Sequence, residues 1–271
     1  MKTRTAISLA SLTVAALLSP ASASAQDADR WQFTGSLNLF LPTVTGSTVF
    51  PPPANASSGG TDIDQILENL QHVFMGSLEA RKGSWGAFTD VIYISLGDTK
   101  AATRSLTLGG NELPVGVAAD ARYELNGWSW TLGGSWRAVS KPNVNLDVIA
   151  GARLLSIKQK LDWTLTGNIG AVPVPDQTGA RESSLSNWDA IIGVKGRYTF
   201  GASGKWFLPY YLDVGTGNSD FTSQAMGGIG YSFGWGEVVG SYRYLGYEMK
   251  SGQGLQDLKF SGPMLSAVFH W

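Results

Sequence analysis

Cysteine is absent from all 271 residues, so no disulfide bond can stabilise the fold. Histidine occurs only twice, which leaves few candidates for the base of a catalytic site. Charged residues make up only 15% of the chain, the net charge is −1 and no basic block is present, so the composition does not indicate a nucleic-acid partner.

Long hydrophobic runs are also missing. After the N-terminal segment, no stretch reaches the ~18 uncharged apolar residues that a membrane-spanning helix needs. At the N-terminus, Lys2 and Arg4 precede a short apolar stretch and an Ala23-Ser24-Ala25 cleavage pattern. We predict a signal peptide over 1–25, because the apolar stretch is too short for an anchor, and one domain over 26–271. The protein is then periplasmic, secreted or inserted in the outer membrane as a barrel.

Glycine and aromatic side chains are abundant. The chain has 34 Gly, 10 Trp, 9 Tyr and 11 Phe. Closed barrels use small residues where strands crowd together and aromatic residues at the membrane interfaces. A closed hydrogen-bonded sheet would also stabilise an exported protein that lacks disulfides.

The segment WDAIIGVKGRYTF, at 188–200, alternates along its whole length. Its even-numbered residues are apolar with aromatic rings near both ends, and its odd-numbered residues carry three charges. Successive side chains of a strand point to opposite faces. An apolar face bounded by aromatic rings, with a polar face behind it, is typical of a strand in a transmembrane barrel.

Similar alternation defines ten predicted strands, the fourth with an alternative start at 118 and the fifth with an alternative end at 163. They lie at 31–41, 73–81, 85–96, 130–139, 144–157, 188–200, 206–214, 221–233, 235–247 and 258–271. Short connections follow every second strand, and the longest connections are predicted at 43–72, 97–117 and 160–186. An even strand number with short turns on one side is the plan of outer-membrane barrels. We therefore predict an all-β fold, a closed antiparallel transmembrane β-barrel with both termini on the periplasmic side.

The first long connection contains a predicted short helix, TDIDQILENL at 61–70. Thr61 can cap its N-terminus, acidic residues occupy its first turn, and its apolar residues recur at helical spacing. The helix is either a lid packed at the barrel mouth or a loop helix that rests on the rim.

The inward faces of the predicted strands carry as many acids as bases. We call these twelve residues the lumen ion-pair set, which comprises Glu79, Arg81, Asp90, Arg137, Asp147, Arg153, Asp189, Lys195, Arg197, Asp213, Glu237 and Arg243. Neighbouring strands run in opposite directions, which brings Asp147 toward Lys195 and Arg197, and Arg153 toward Asp189. Because unpaired buried charges are costly, we predict a ladder of ion pairs across the lumen. Ten strands enclose little space, so a filled or very narrow lumen is expected.

The outward faces carry the aromatic residues expected of two interfacial girdles. The predicted girdle residues are Trp31, Trp85, Trp188, Tyr198, Phe200, Trp206, Tyr231, Phe233, Tyr242, Tyr244 and Trp271. The last strand alternates to its final aromatic residue, which resembles the signal that the outer-membrane assembly machinery recognises.

Neither histidine indicates an active site. His270 faces inward close to the periplasmic end, whereas His72 lies near the external end of the second strand, close to Asp62, Asp64 and Glu68. A histidine beside a carboxylate can act as a general base or bind a metal. No serine motif or aspartate pair converges on His72, so we predict no catalytic residue, no metal and no cofactor.

Several segments together resemble a family of uncharacterised proteobacterial outer-membrane β-barrel proteins. The resemblance is carried by FMGSLEARKGSWGAFTDVIYISLGD, NLDVIAGARLL, WDAIIGVKGRY and VGSYRYLGYEM, and by DIDQILENL ahead of the second strand. These are motifs of barrel strands, so the resemblance implies the fold and transfers no catalytic residue.

The sequence therefore predicts a non-enzymatic, porin-like membrane protein in the outer membrane of a Gram-negative bacterium. Its function is expected to be structural, or a narrow gated passage for small solutes. The alternatives are an enzyme that modifies or hydrolyses lipids at the outer leaflet and a barrel that binds ligands through its external loops. Expected partners are outer-membrane lipid, lipopolysaccharide and the assembly machinery, and the barrel is expected to be monomeric.

Overall fold

The computed structural model describes residues 30–48, 61–62, 70–102, 117–169, 172–251 and 255–271. The predicted signal peptide lies outside these residues. Among the described residues, no helix is long and apolar enough to span a bilayer.

The described chain is built from twelve β-strands. They are β1 (Gln32–Phe40), β2 (Thr43–Thr48), β3 (Thr61–Asp62), β4 (Leu70–Lys82), β5 (Trp85–Ala102), β6 (Val117–Lys141), β7 (Val144–Ile169), β8 (Val172–Phe200), β9 (Trp206–Gly217), β10 (Ser219–Ser232), β11 (Glu237–Met249) and β12 (Leu255–His270).

The strands form a closed antiparallel barrel with ten strands around its circumference. From β4 to β12 each strand pairs with the next, β1 pairs with β4, and β1 pairs with β12 to close the ring. β2 continues the path of β1 after Pro42 and also pairs with β12, and the two-residue β3 adds to β2. The predicted strand number and antiparallel closure are therefore confirmed.

The two ends of the barrel differ. One end, which we call the turn end, holds both ends of the described chain and the connections β4–β5, β6–β7, β8–β9 and β10–β11. Gly83, Gly201 and Gly204 have φ angles of 60°, 82° and 63° there, a region in which side chains are rarely tolerated. At the other end, which we call the extended end, β5 to β8 continue well beyond their neighbours.

The helix predicted over 61–70 is not shown. Thr61 and Asp62 instead form β3, Leu70 begins β4, and 63–69 lie outside the described residues. One capping residue, acids in the first turn and an apolar stripe are a weak signal over ten residues, and the pairing of β3 with β2 competes for the first two.

Strands extend into two of the predicted external loops. The loop predicted over 160–186 forms the ends of β7 and β8, and parts of the loop predicted over 97–117 belong to β5 and β6. Beyond the membrane neither face of a strand contacts lipid, so the apolar alternation that marks a strand disappears while the ladder continues.

The outer surface has the band expected of a membrane barrel. Exposed apolar side chains, among them Leu37, Leu132, Ile192, Leu212 and Leu265, cover its middle. Eight predicted girdle residues lie toward the turn end, where rings such as Trp206 and Tyr231 contact one another, with centroids 4.9 Å apart. An apolar belt bordered by aromatic rings is the surface that a bilayer requires.

The remaining three girdle residues lie farther along their strands. The parity of each strand could also have identified further outward aromatic residues. Trp188 contacts Trp130 at 6.1 Å between ring centroids, toward the extended end, whereas Tyr242 and Tyr244 lie partway along β11. The predicted girdle leaves out other outward aromatic residues, which include Phe33, Phe74, Tyr93, Trp128, Trp130, Trp136, Phe221, Trp235 and Phe269.

Candidate functional site in the barrel lumen

The inward side chains divide the lumen into three zones along the barrel. A cavity, the turn-end cavity, opens at the turn end and is lined by polar and charged residues. An ion-pair layer, built around Arg153 and Arg243, crosses the middle. An apolar layer fills the lumen toward the extended end.

The turn-end cavity has a volume of about 630 Å³. Its rim includes Gln32, Thr34, Thr199 and His270, which lie beside the chain ends and the short turns. The cavity is therefore open to the compartment that the turn end faces, and it has the size of an ordinary small-molecule site.

Two carboxylates in this cavity form ion pairs with three cationic side chains. Asp147 pairs with both Arg81 and Arg137. Glu79 accepts a hydrogen bond from Arg81 Nη2 at 3.0 Å and another from Lys195 Nζ at 2.6 Å. This group of five side chains has three positive and two negative charges, so it carries an excess of one positive charge.

A second cluster in the cavity connects β8 to β11 and β12. Arg197 Nη1 donates to Glu237 Oε1 at 2.8 Å, and Ser232 Oγ donates to the same oxygen at 3.1 Å. His270 Nε2 lies 3.4 Å from Glu237 Oε2, and His270 Nδ1 lies 3.1 Å from Thr34 Oγ1. Arg197 also packs over the Phe207 ring, 4.2 Å from its centroid.

Arg153 is the centre of the ion-pair layer and is fully buried. Its guanidinium forms a two-pronged pair with Asp213, with Nη1 and Oδ1 3.0 Å apart. It also donates to Thr131 Oγ1 at 3.1 Å, Thr222 Oγ1 at 3.2 Å and Gln224 Oε1 at 3.2 Å. A buried ion pair is tolerable when additional hydrogen bonds satisfy the remaining protons, and that condition is met here.

Arg243 forms the second half of this layer. Its Nη2 lies 2.6 Å and its Nη1 3.2 Å from the two oxygens of Asp90, so this pair is also two-pronged. Arg243 Nη2 donates to Gln224 Oε1 at 2.9 Å. Gln224 therefore joins the two arginines, and a continuous polar network runs from Asp90 to Asp213 across the barrel.

The ion pairs differ from the predicted ones in their partners. The predicted neighbours are correct along the backbone, since Asp147 lies opposite Lys195 and Arg153 lies opposite Asp189. Their side chains nevertheless pair elsewhere. Asp189 has no ion pair among the described residues and accepts a hydrogen bond from the Ser219 N–H at 2.8 Å.

Strand tilt explains the change of partner. In a closed barrel, residues opposite each other in a ladder lie at different depths along the axis. Arg153, Asp189 and Gly217 are in line across β7, β8 and β9, whereas Asp213 lies four residues farther along β9. The long arginine side chain therefore meets an acid at its own depth instead of its ladder neighbour.

The apolar layer was not predicted. Its buried side chains come from β1, β2, β4 to β7, β11 and β12, and they are Phe40, Val44, Met75, Ile92, Ile94, Leu125, Leu155, Ile157, Leu245, Tyr247, Met249, Leu258, Phe260 and Met264. The Tyr247 hydroxyl is satisfied by Ser129 Oγ at 2.8 Å. A pocket among these side chains has a volume of only about 10 Å³, which is no larger than a single water needs.

The extended end carries an exposed ion pair of a different kind. Lys160 Nζ and Asp162 Oδ2 are 2.8 Å apart on β7. The hydrogen bond to Asp162 raises the pKa of the Lys160 amine above its ordinary value. This pair lies in solvent, so it serves as a reference for the buried pairs.

The His72 site of the enzyme alternative is not assembled by the described residues. The backbone of His72 lies in β4 opposite Ser95, and Asp62 lies in β3. Asp64, Glu68 and the His72 side chain lie outside the described part of the structure. No cluster of three or more metal-ligating side chains occurs within that part.

Comparisons with known proteins return structural likeness only. No family model matches the sequence, and no curated protein matches it. The outer membrane protease OmpT from Escherichia coli is 11% identical with a TM-score of 0.48, over 93% of this chain and 99% of that chain. Ail, the attachment invasion locus protein of Yersinia pestis, is 13% identical with a TM-score of 0.30, over 90% and 99%. The Pseudomonas putida toluene transporter TodX is 10% identical with a TM-score of 0.33, over 89% of each chain. Identities and TM-scores this low transfer no function.

Proposed function

We propose that the protein is a sealed, non-enzymatic barrel of the Gram-negative outer membrane, with a structural role. The turn end would face the periplasm, and the sealed barrel would anchor the extended sheet of β5 to β8 at the cell surface. Its partners would be outer-membrane lipid and lipopolysaccharide, with the assembly machinery acting on the C-terminal strand, and it would be monomeric.

The apolar layer carries this proposal. Phe40, Leu245 and Leu258 each have no exposed surface, and they lie in the lumen together with eleven further buried apolar residues. An ion that crossed this layer would lose its hydration without a polar partner, which is prohibitively costly. The ion-pair layer beneath it adds a second barrier, because every guanidinium there is held by a carboxylate.

Conductance of the refolded protein in planar bilayers tests the proposal. We expect no unitary channel events from the wild-type protein. Phe260→Ala, which removes a ring from the apolar layer, should produce brief openings, whereas Phe269→Ala on the lipid-facing side should not. Stable unitary steps from the wild-type protein would support the narrow gated passage and refute a sealed barrel.

A further inference from the structure

The turn-end cavity offers more positive than negative side chains to a ligand. Its lining includes five Lys and Arg residues against four acids, in addition to His270. Three of the cations share the carboxylates of Glu79 and Asp147. One further negative charge would balance the cavity, and sharing one carboxylate between two cations leaves each cation incompletely neutralised.

Buried hydrogen-bond donors without an acceptor line the same cavity. Arg81 directs all three of its described contacts, to Glu79, Ser135 and Asp147, through Nη2. Its Nη1 is buried and meets no acceptor among the described residues, although the residue is only 9% exposed. A buried donor left unpaired costs free energy, and an acceptor supplied by a ligand would remove that cost.

Two more buried donors in the cavity also lack an acceptor. The Tyr211 hydroxyl and Arg243 Nε are buried, line the cavity and meet no described acceptor within hydrogen-bond distance and angle. Tyr210, the neighbouring cavity residue, differs because its hydroxyl donates to the Asn145 carbonyl at 2.9 Å. The unsatisfied groups that line the cavity are all able to donate, so the missing chemistry is that of an acceptor.

Part of the lining is apolar. Met226, Val239 and Met264 contribute aliphatic and thioether surface, and Phe88 and Phe207 contribute aromatic rings. The Tyr211 ring packs against Phe88 with centroids 6.4 Å apart, so one unpaired donor lies directly beside this apolar surface. Apolar surface for the body of a ligand, with polar groups placed to orient it, is a usual feature of small-molecule sites.

We propose that the turn-end cavity binds a small organic monocarboxylate with an apolar body, whose carboxylate accepts hydrogen bonds from Arg81 and Tyr211. The single charge matches the excess of one cation, and the two oxygens match donors on two strands. The apolar body would occupy the surface formed by Phe88, Met226 and Met264. The ligand would enter from the compartment that the turn end faces, since the apolar layer closes the other side.

Calorimetric titration of the refolded protein in a neutral detergent tests the proposal, with benzoate as the probe. Benzyl alcohol is the neutral control of similar size, and empty micelles correct for partitioning. We expect saturable binding of benzoate that weakens with added salt, and no saturable binding of benzyl alcohol.

Two tyrosine variants locate the site. Tyr211→Phe removes a hydroxyl that has no partner, so the barrel should fold normally while the affinity for benzoate falls about tenfold. Tyr242→Phe removes a hydroxyl from the lipid-facing side, where the residue is 58% exposed, and should leave the affinity unchanged. Arg81→Gln should abolish binding. If Arg81→Gln does not fold, Tyr211→Phe still tests the proposal. Equal binding of benzoate and benzyl alcohol, or equal affinities for the two tyrosine variants, would overturn the proposal.

Discussion

At the scale of single residues, Arg153 shows how a charge can be kept inside a membrane barrel. Its guanidinium donates to one carboxylate and to three neutral oxygens, so its donors are satisfied from three strands, β6, β9 and β10. The same contacts hold Asp213 and Gln224 in place. The net stability of such a pair is small, but removing one member leaves a buried charge without compensation.

We expect Arg153→Ala to lower the free energy of unfolding by about 3–5 kcal/mol, because Asp213 would remain buried without its partner. The measurement is the midpoint of urea unfolding in lipid vesicles. Lys160→Ala removes an ion pair that lies in solvent, so it should leave the midpoint unchanged. Equal midpoints for the two variants would show that the buried pair has no structural role.

A second variant separates the charge from the packing. Replacing both partners, with Arg153→Met and Asp213→Leu, removes the uncompensated carboxylate and should restore most of the stability that Arg153→Ala loses. A double variant as unstable as Arg153→Ala would indicate that the polar network itself, with Gln224 at its centre, is required.

The sequence indicated which residues face the lumen but not which partner each one has. Alternation places Asp147, Arg153 and Asp189 on inward faces, and their ladder neighbours were predicted correctly. Partner choice depends on the tilt and stagger of the closed sheet, which no single strand encodes. Arg153 therefore meets Asp213, a residue on a strand that does not adjoin its own.

At the scale of elements, glycine decides how closely neighbouring strands can approach. A Cβ built on Gly193 of β8 would collide with the Leu212 carbonyl oxygen and lie 2.7 Å from Cα of Asp213. A Cβ on Gly227 of β10 would meet nothing within 4 Å. The first glycine is required by the packing of β8 on β9, whereas the second is not.

Gly193→Ala should therefore lower the free energy of unfolding by about 1–3 kcal/mol, because the clash involves backbone that cannot move aside freely. It should also disturb Asp213, and with it the pair to Arg153. Gly227→Ala should be neutral or slightly stabilising, since it removes only conformational freedom of the unfolded chain. The temperature at which the folded band disappears in gel electrophoresis compares the two, and equal temperatures would contradict a steric role for Gly193.

The ends of the long strands could not be predicted from the sequence. Within the membrane, segment 188–200 alternates between apolar and charged residues, and it was identified as a strand. Upstream of it, β8 continues through polar residues such as Glu182, Ser183 and Ser184, which are all exposed. Alternation in the sequence marks only the part of a strand that contacts lipid. The hydrogen-bonded ladder of β7 and β8 continues beyond that part.

At the scale of the whole molecule, the lumen is asymmetric, with a polar cavity at one end and an apolar layer at the other. The sequence analysis assumed that inward residues are polar, and Ile92, Leu155 and Ile157 contradict that assumption. Each lies on the same face as a charged residue of its strand. In the sequence, apolar residues at inward positions look like breaks in the alternation. Only the closed barrel shows that they pack against one another across the lumen.

The absence of cysteine allows a direct test of orientation. A single cysteine introduced by Ser184→Cys lies on the extended end, and one introduced by Ser203→Cys lies in a turn at the other end; both positions are exposed. In intact cells, a membrane-impermeant maleimide should label Ser184→Cys and should label Ser203→Cys only after the outer membrane is permeabilised. The reverse pattern would place the turn end outside.

The length of β7 and β8 has a mechanical consequence. Leu154 lies between Trp130 and Trp188 in the ladder, and fifteen residues of β7 follow it. At about 3.3 Å per residue and a tilt of about 40°, these residues rise about 40 Å. Large particles that approach this end would touch the hairpin before they reach the lipid. A pull on this hairpin along its strands loads the hydrogen bonds to β6 and β9 together in shear, instead of opening them one at a time. The hairpin is thus a stiff projection that is continuous with the strands that carry Arg153 and Lys195.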